Sequence, residues 1–257
     1  MATLTVAILT QNEAKRIGAC IRSAQFADQV LVIDGGSTDG TAELARGLGA
    51  EVHVYPDWQG FAAQRNRQIA HARGDFILFL DADEEITTEL RTELHDVLAR
   101  NEAAVWSVGW TQVAFGRTLH RMRSTVNVQR LFQRASLSHF EGVVHEHPVL
   151  QSPHPVRKLR HRLLHHSRET VYGSLLKLAQ YAQLGAVKRA QLGKTGGVVR
   201  GLLSGGACFF RLYVMQLGVL CGAQGFLYCL FVSLESFFRY AALRYDQGQL
   251  DDVVKRT

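Results

Sequence analysis

The chain has 257 residues, 47% of them apolar, which suits one large domain or a domain with an appendage and supplies enough material for a substantial core. Its formal charge of +6 favours acidic partners: anionic lipid, a phosphorylated substrate or nucleic acid. The four cysteines, Cys20, Cys208, Cys221 and Cys229, form no Cys-x-x-Cys pair and do not suggest a disulfide framework; a reduced, cytosolic setting is the simplest account.

The opening segment, MATLTVAILTQNEAKR, lacks an early basic region and has only a short, alternating apolar run. It is a poor signal peptide, so the front of the chain is expected in the cytoplasm. Residues 3–9 read as a strand. Glu13 to Phe26 reads as a helix, with Ile17, Cys20, Ile21 and Ala24 in helical spacing and Asn12 as its cap. A second strand, 29–33, runs into Asp34 and the turn sequence Gly35-Gly36-Ser37-Thr38-Asp39-Gly40-Thr41, then a helix to about Leu48. A third strand (51–55), a helix (60–72) closed by Gly74 and a fourth strand (76–80) follow.

Alternating strand and helix predict a parallel, doubly wound α/β sheet. Right-handed crossovers place all the strand ends on one edge, so Asn12, Asp34 and Asp81 are expected along a single crevice. In open α/β sheets that edge is where ligands sit. The fourth strand ends in Asp81-Ala82-Asp83, followed by Glu84 and Glu85. Carboxylates in this arrangement suit Mg²⁺ or Mn²⁺ bridging the protein to a diphosphate. The plainer alternative is an acidic helix start with Thr87 as N-cap.

Residues 88–100 form an amphipathic helix. Residues 104–114 and 126–134 look like strands around a basic loop carrying Arg117, Arg121 and Arg123, which serves either an acidic acceptor or solubility. Trp106 and Trp110 share one side of the first strand and read as core rather than as a sugar platform. Residues 154–166 are rich in Arg and His. His161 and His165 have helical i, i+4 spacing, but a zinc site there lacks a third ligand. His145-Glu146-His147 is not a zinc-protease motif, because that needs the two His four residues apart. The run Arg157 to Arg162 is a solvated face or a dock for phosphorylated lipid.

A boundary near 165 separates residues 1–165 from a helical region, 166–257. Within the latter, the 23 residues between Arg211 and Glu235 carry no charge. That length would allow a membrane span. However, Gly222-Ala223-Gln224-Gly225 reads as a turn between two shorter helices. The expected arrangement is two helices on the inner leaflet, with Arg200, Arg211, Arg239 and Arg244 facing anionic headgroups. A buried helical hairpin is the alternative. No nucleic-acid-binding motif is present.

Four pieces in order, Thr10-Gln11-Asn12-Glu13, Asp34 to Thr41, Arg65-Asn66 and Asp81-Ala82-Asp83, resemble the family 2 glycosyltransferases, which have the GT-A fold. Val144-His145-Glu146 and the apolar tail resemble, more narrowly, the lipopolysaccharide-core β-1,4-glucosyltransferases of Gram-negative bacteria. The resemblance implies an inverting, metal-dependent transfer from a UDP-sugar to a hydroxyl of a lipid-linked acidic saccharide, at the cytoplasmic face of the bacterial inner membrane. It further implies that Thr10, Asn12, Glu13, Asp34, Ser37, Arg65, Asp81 and Ala82 line the nucleotide-sugar pocket. Asp83 would bind the metal directly, and Asp81 would contact ribose or metal. Apart from the resemblance, His165 or His166 is a candidate to complete the metal's shell, the plainer reading of both being contact with a headgroup or the acceptor. Glu146, or else Glu141, would be the base; where the family often carries Glu-Asp, this sequence has His-Glu. Two other activities compete: transfer to polyprenyl phosphate, which needs no base, and sugar-phosphate nucleotidyl transfer. The second would need a Gly-rich, Arg-containing loop after the first strand, which is absent here.

Overall fold

A computed structural model describes residues 2–123, 127–142, 146–246 and 248. The chain divides into two compact units: Met1–Trp110 with Thr125–His165, and Thr111–Ser124 with His166–Thr257.

The first unit opens with β1 (Leu4–Thr10), α1 (Ile17–Ala24), β2 (Gln29–Asp34), α2 (Thr41–Gly47), β3 (Glu51–Val54), α3 (Phe61–His71) and β4 (Phe76–Asp81). Then come β5 (Glu84–Ile86), α4 (Thr88–Arg100), β6 (Val105–Ala114) and β8 (Asn127–Gln133), while β7 (Arg117–Thr118) and the end of β6 belong to the second unit. A β9 (Leu137–Glu141) and β10 (His147–Leu150) hairpin precedes β11 (Val156–Arg168). The main sheet has the order β3-β2-β1-β4-β8-β6-β11-β5, and β7 pairs with β6.

β1, β2, β3 and β4 are mutually parallel, and β8 joins β4 antiparallel. The sheet is therefore mixed, with a doubly wound N-terminal half. All seven residues of β1 are buried, as expected of a central strand covered on both faces. Leu4, Val6 and Ile8 face a core shared with Ile17 and Ile21 of α1 and with Leu90 and Leu94 of α4. Ala7 and Leu9 face the opposite layer, with Ile77, Phe79 and Ile69 of α3. The two-residue period of the strand thus feeds two separate cores.

Several expectations are corrected. Residues 13–16 form a turn, and α1 begins at Ile17 without a side-chain cap. Asn12 is not its cap; it sits in the left-handed region at φ 54°, which Asn tolerates, and its side chain serves another loop. Residues 156–168 are a strand, so His161 and His165 lie about 13 Å apart along β11 rather than one helical turn apart. Neither zinc pairing nor helical spacing applies to them. Thr87 does cap α4, accepting from Leu90 N at 3.2 Å.

The second unit contains α5 (Val171–Gln191), α6 (Val198–Phe210) and α7 (Gly222–Tyr245). α6 and α7 pack closely where glycine replaces a side chain: a Cβ at Gly201 would lie 2.9 Å from Phe237. The turn lies earlier than Gly222–Gly225. α6 continues as a π turn over Arg211–Met215, Leu217 takes φ 61°, and a short 3-10 turn spans Gly218–Cys221. Gly222 to Gly225 then begin α7, since the left-handed residue at 217 has already reversed the chain. Val198–Met215 and Gly218–Tyr245 are each long and apolar enough to cross a membrane.

Candidate functional site

The C-terminal ends of β1, β2 and β4 lie side by side, with Thr10 opposite Asp34 and Leu9 opposite Asp81. Two loops are stitched together there. Asp34 Oδ1 accepts from Gly36 N (2.8 Å) and Ser37 N (2.7 Å), folding the loop back on its own strand. Gly36 has φ 87°, and a Cβ on it would lie 2.9 Å from Pro56 Cα, so only glycine fits. Asn12 N donates to Ser37 Oγ at 2.7 Å, and Thr38 N donates to Asn12 Oδ1 at 2.9 Å. Glu13 N donates to Thr41 Oγ1 at 2.9 Å. Asn12, Glu13 and Ser37 thus shape the rim through bonds within the chain. Thr10 Oγ1 and Asp34 Oδ2 are buried with no hydrogen-bond partner among the described residues. Both are acceptors at the ends of neighbouring strands, and a buried acceptor left alone is costly. A ligand carrying N–H or O–H groups would satisfy them.

The centre of the rim is Asp81. Arg65 Nη2, from α3, donates to Asp81 Oδ1 at 2.6 Å, and Arg130 Nη2, from β8, donates to Oδ2 at 2.6 Å. Arg130 Nη2 also reaches Glu84 Oε1 at 2.9 Å. Glu84, fully buried, accepts from Trp110 Nε1 at 2.6 Å and, through Oε2, from Asp81 N at 3.0 Å. Burial alone would raise the Asp81 carboxyl, but Arg130 and Arg65 outweigh it and hold Asp81 well below the usual carboxylate range. Glu84 goes the other way: burial and the Asp81 charge raise it, against the opposing pull of Arg130. Burial would lower the Arg130 guanidinium, yet Asp81 and Glu84 raise it. Ala82 is buried and donates its N–H to Leu9 O at 3.1 Å, which fixes the Asp-Ala-Asp turn against β1.

With both Asp81 oxygens given to guanidiniums, the convergent candidate ligands are Asp83 and His165. His165 Nε2 on β11 stands 3.5 Å from Asp83 Oδ2, and its ring tilts against Trp110 at 5.1 Å. His165 Nδ1 is buried without a hydrogen-bond partner. A carboxylate and an imidazole aimed at one point form a donor set that a divalent ion fits. Of the two candidate bases, Glu146 Oε1 lies 3.9 Å from Arg65 Nε, at the same rim. Glu141 instead takes His147 Nε2 at 2.9 Å in the β9–β10 hairpin. Val144 and His145 lie outside the described residues.

Three members of this network were given no role at the site from the sequence: Arg130, Glu84 and Trp110. Trp110, expected in the core, is partly buried against it while its N–H enters the site. A separate cluster, Glu51, His53 and His71, brings three ligand atoms within 4.8 Å. Its imidazoles stack face to face at 3.7 Å, however, and parallel rings cannot aim their lone pairs at one ion.

The family profile described as Glycosyl transferase family 2 matches residues 5–166, well over half of the chain and nearly all of the sheet that carries the rim. The chain belongs to glycosyl transferase family 2. It is 27% identical over 248 residues to the lipopolysaccharide core biosynthesis glycosyltransferase LpsC of Rhizobium meliloti (strain 1021), covering 93% of this chain and 91% of LpsC. It is 34% identical over 148 residues to a TPR repeat-containing protein of Synechococcus elongatus, covering 57% of this chain but only 35% of that protein. Among solved structures, the crystal structure of S. aureus TarS aligns with 96% of this chain and 92% of that one, at 15% identity and a TM-score of 0.49. Family and topology together identify the expected GT-A sheet, with a helical C-terminal region.

Proposed function

We propose that this glycosyltransferase moves a hexose, glucose in the first instance, from a UDP-sugar to a hydroxyl of a lipopolysaccharide inner-core heptose, with inversion at the anomeric carbon. The supporting observation is the arrangement at one rim: the Asp83–His165 pair, the buried acceptors Thr10 and Asp34, and Glu146 beside Arg65. The near full-length similarity to LpsC supports the acceptor class.

In this reading Thr10 Oγ1 and Asp34 Oδ2 accept from the uracil or ribose, within loops that Asn12, Glu13 and Ser37 hold rigid. Arg65 and Arg130 fix the Asp81 carboxylate and set positive charge beneath the diphosphate. Asp83 and His165 would hold Mg²⁺ or Mn²⁺, which when bound offsets the charge gathering on the leaving diphosphate. Inversion requires a single displacement, so a base must take the acceptor proton from the far face of the sugar. Glu146 fills that role, its carboxylate standing at the rim with Oε1 3.9 Å from Arg65 Nε.

Residues 1–165 form the catalytic region in this proposal, and 166–257 hold it at the inner-membrane surface. The apolar face of α6 and of the π turn after it supports the second part: Val199 (71% exposed), Leu203 (70%) and Met215 (63%) face outward. Helices that lay such residues against acyl chains and keep cations nearby behave as interfacial anchors.

The test is release of UDP from a panel of UDP-sugars with Mg²⁺, with Mn²⁺ and with chelator, followed by transfer to heptose-bearing lipid A–core. Stimulation by one UDP-hexose and loss with chelator are expected. Turnover unaffected by chelator would refute the metal assignment, and turnover only with polyprenyl phosphate would refute the acceptor.

A further inference from the structure

The loop between β7 and residue 123 alternates two kinds of side chain. Leu119 and Met122 are buried with Leu212, Cys221 and Cys229 of the helical region. Arg117 at the start of β7, His120 and Arg121 between those two, and Arg123 after them are exposed. The loop is pinned at both ends, by Leu119 N to Gln112 O (2.8 Å) and Arg123 N to Gln216 O (2.9 Å). Its cations are therefore presented from a fixed backbone.

Arg117, Thr118, His120 and Arg121 enclose, with Leu220 and Cys221, a cavity of about 260 Å³ that no carboxylate lines. Among the described residues, neither Arg117 nor Arg121 pairs with an acid. Arg117 lies against the start of α7: a Cβ on Gly222, at φ 67°, would be 3.1 Å from its Nη1. The volume is below that of cavities that enclose a whole small-molecule ligand and suits one anionic group. The wall on the helical side is apolar and outward-facing, with Leu220 (47% exposed) next to Val219 (46%), and Met215 and Val214 in the same segment.

The other basic surface, Arg157 to His161 on β11, contrasts with this one. Its groove is also lined by Glu89, Glu93, Asp96 and Glu102, and Glu93 accepts the backbone N–H groups of Arg160 and His161. Arg157 is paired with Glu102 there, and the carboxylates along the groove oppose an incoming anion, so it is the poorer anion site of the two.

From these observations we infer that Arg117, His120 and Arg121 form a site for the phosphate of an anionic lipid headgroup, while Val214, Met215, Val219 and Leu220 enter the interfacial layer of the same leaflet. The inference rests on the membrane-surface reading above. Cations beside an apolar surface bind where anionic phosphate and acyl chains meet, and each contributes independently near such a surface.

The full chain is tested for flotation with vesicles of phosphatidylcholine alone and of phosphatidylcholine with phosphatidylglycerol. Wild type is expected to prefer the anionic vesicles. The double variant Arg117→Gln/Arg121→Gln should weaken that binding by about thirtyfold, the effect of removing two cations at an anionic surface. Arg117→Lys/Arg121→Lys should retain most of it, Arg157→Gln/Arg160→Gln should leave it unchanged, and UDP-sugar hydrolysis in detergent should be equal in all. A Gln/Gln variant that floats like wild type overturns the site, as does an equal loss in the Arg157/Arg160 variant. Saturable binding of glycerol 3-phosphate, without any gain from phosphatidylglycerol, would assign the cavity to a soluble phosphate and also overturn it. Wild type that floats with neither vesicle would instead refute the membrane reading itself.

Discussion

Arginine is used in two opposite ways in this molecule. In the first unit Arg65 and Arg130 are buried, and each donates to a carboxylate at 2.6 Å. In the second, Arg117 and Arg121 are exposed around a cavity free of acids. A guanidinium enclosed with two carboxylates has its charge already matched and acts by holding those carboxylates in place. One left in water beside an apolar surface keeps its charge for something that arrives. Burial and partner, more than residue type, decide whether a cation builds a site or serves as one.

The comparison can be broken at several points, most severely at the rim. Asp83→Ala should reduce transfer by roughly a thousandfold or more, the scale of losing a principal stabiliser of developing charge, with an unchanged melting temperature. Steady-state rates beside a thermal melt check both halves. Glu146→Gln follows, with an expected loss of about a hundredfold to ten-thousandfold in kcat and little change in KM for the donor. A rate near wild type would point to an acceptor that is already an anion.

Arg130→Met tests the holding role. It leaves Asp81 and Glu84 facing each other without their shared cation, and should cost roughly 3–5 kcal/mol in urea denaturation. Adding Glu84→Gln should recover part of that loss. Arg117→Gln/Arg121→Gln, by contrast, should leave stability within about 0.5 kcal/mol, because exposed cations without partners contribute little.

The smallest effect concerns acid. Burial would raise Glu51, but bonds from His53, Gln29 and Arg73 outweigh it and lower its pKa to about 2. A carboxylate depressed in the folded state stabilises fully above its unfolded pKa, and this is lost as pH falls through the folded value. Glu51→Gln should therefore lower stability modestly at neutral pH, flatten the stability–pH profile between about pH 4.5 and 2, and leave stability below about pH 2 nearly unchanged.

The parallel half of the fold was legible because each strand there is a short apolar run closed by turn residues. The ends of β1, β2 and β4 were correctly expected on one edge. The misplaced turn in the tail has a clear origin: Gly222 and Gly225 look like breakers, yet the chain reverses at Leu217, a residue with no intrinsic preference for φ 61°. β11 was missed as a strand because its Arg and His residues hide the alternation of Leu159 and Leu163 with exposed neighbours. At the rim, Asp34 and Asp81 stood out as acids ending apolar runs. Arg130 and Glu84 did not, because a buried ion pair between β8 and β5 leaves no local pattern in either segment. Only the pleat of β8, which turns Arg130 toward the covered side, could have indicated it.

The clamp on Asp81 has one more consequence. Its two guanidiniums come from α3 and β8, about 65 residues apart in the chain, so the rim cannot take shape until the antiparallel half of the sheet has joined the parallel half. Heating should therefore abolish donor turnover in the same transition that separates those halves, with no warm, sluggish species in which strands persist and chemistry has already faded.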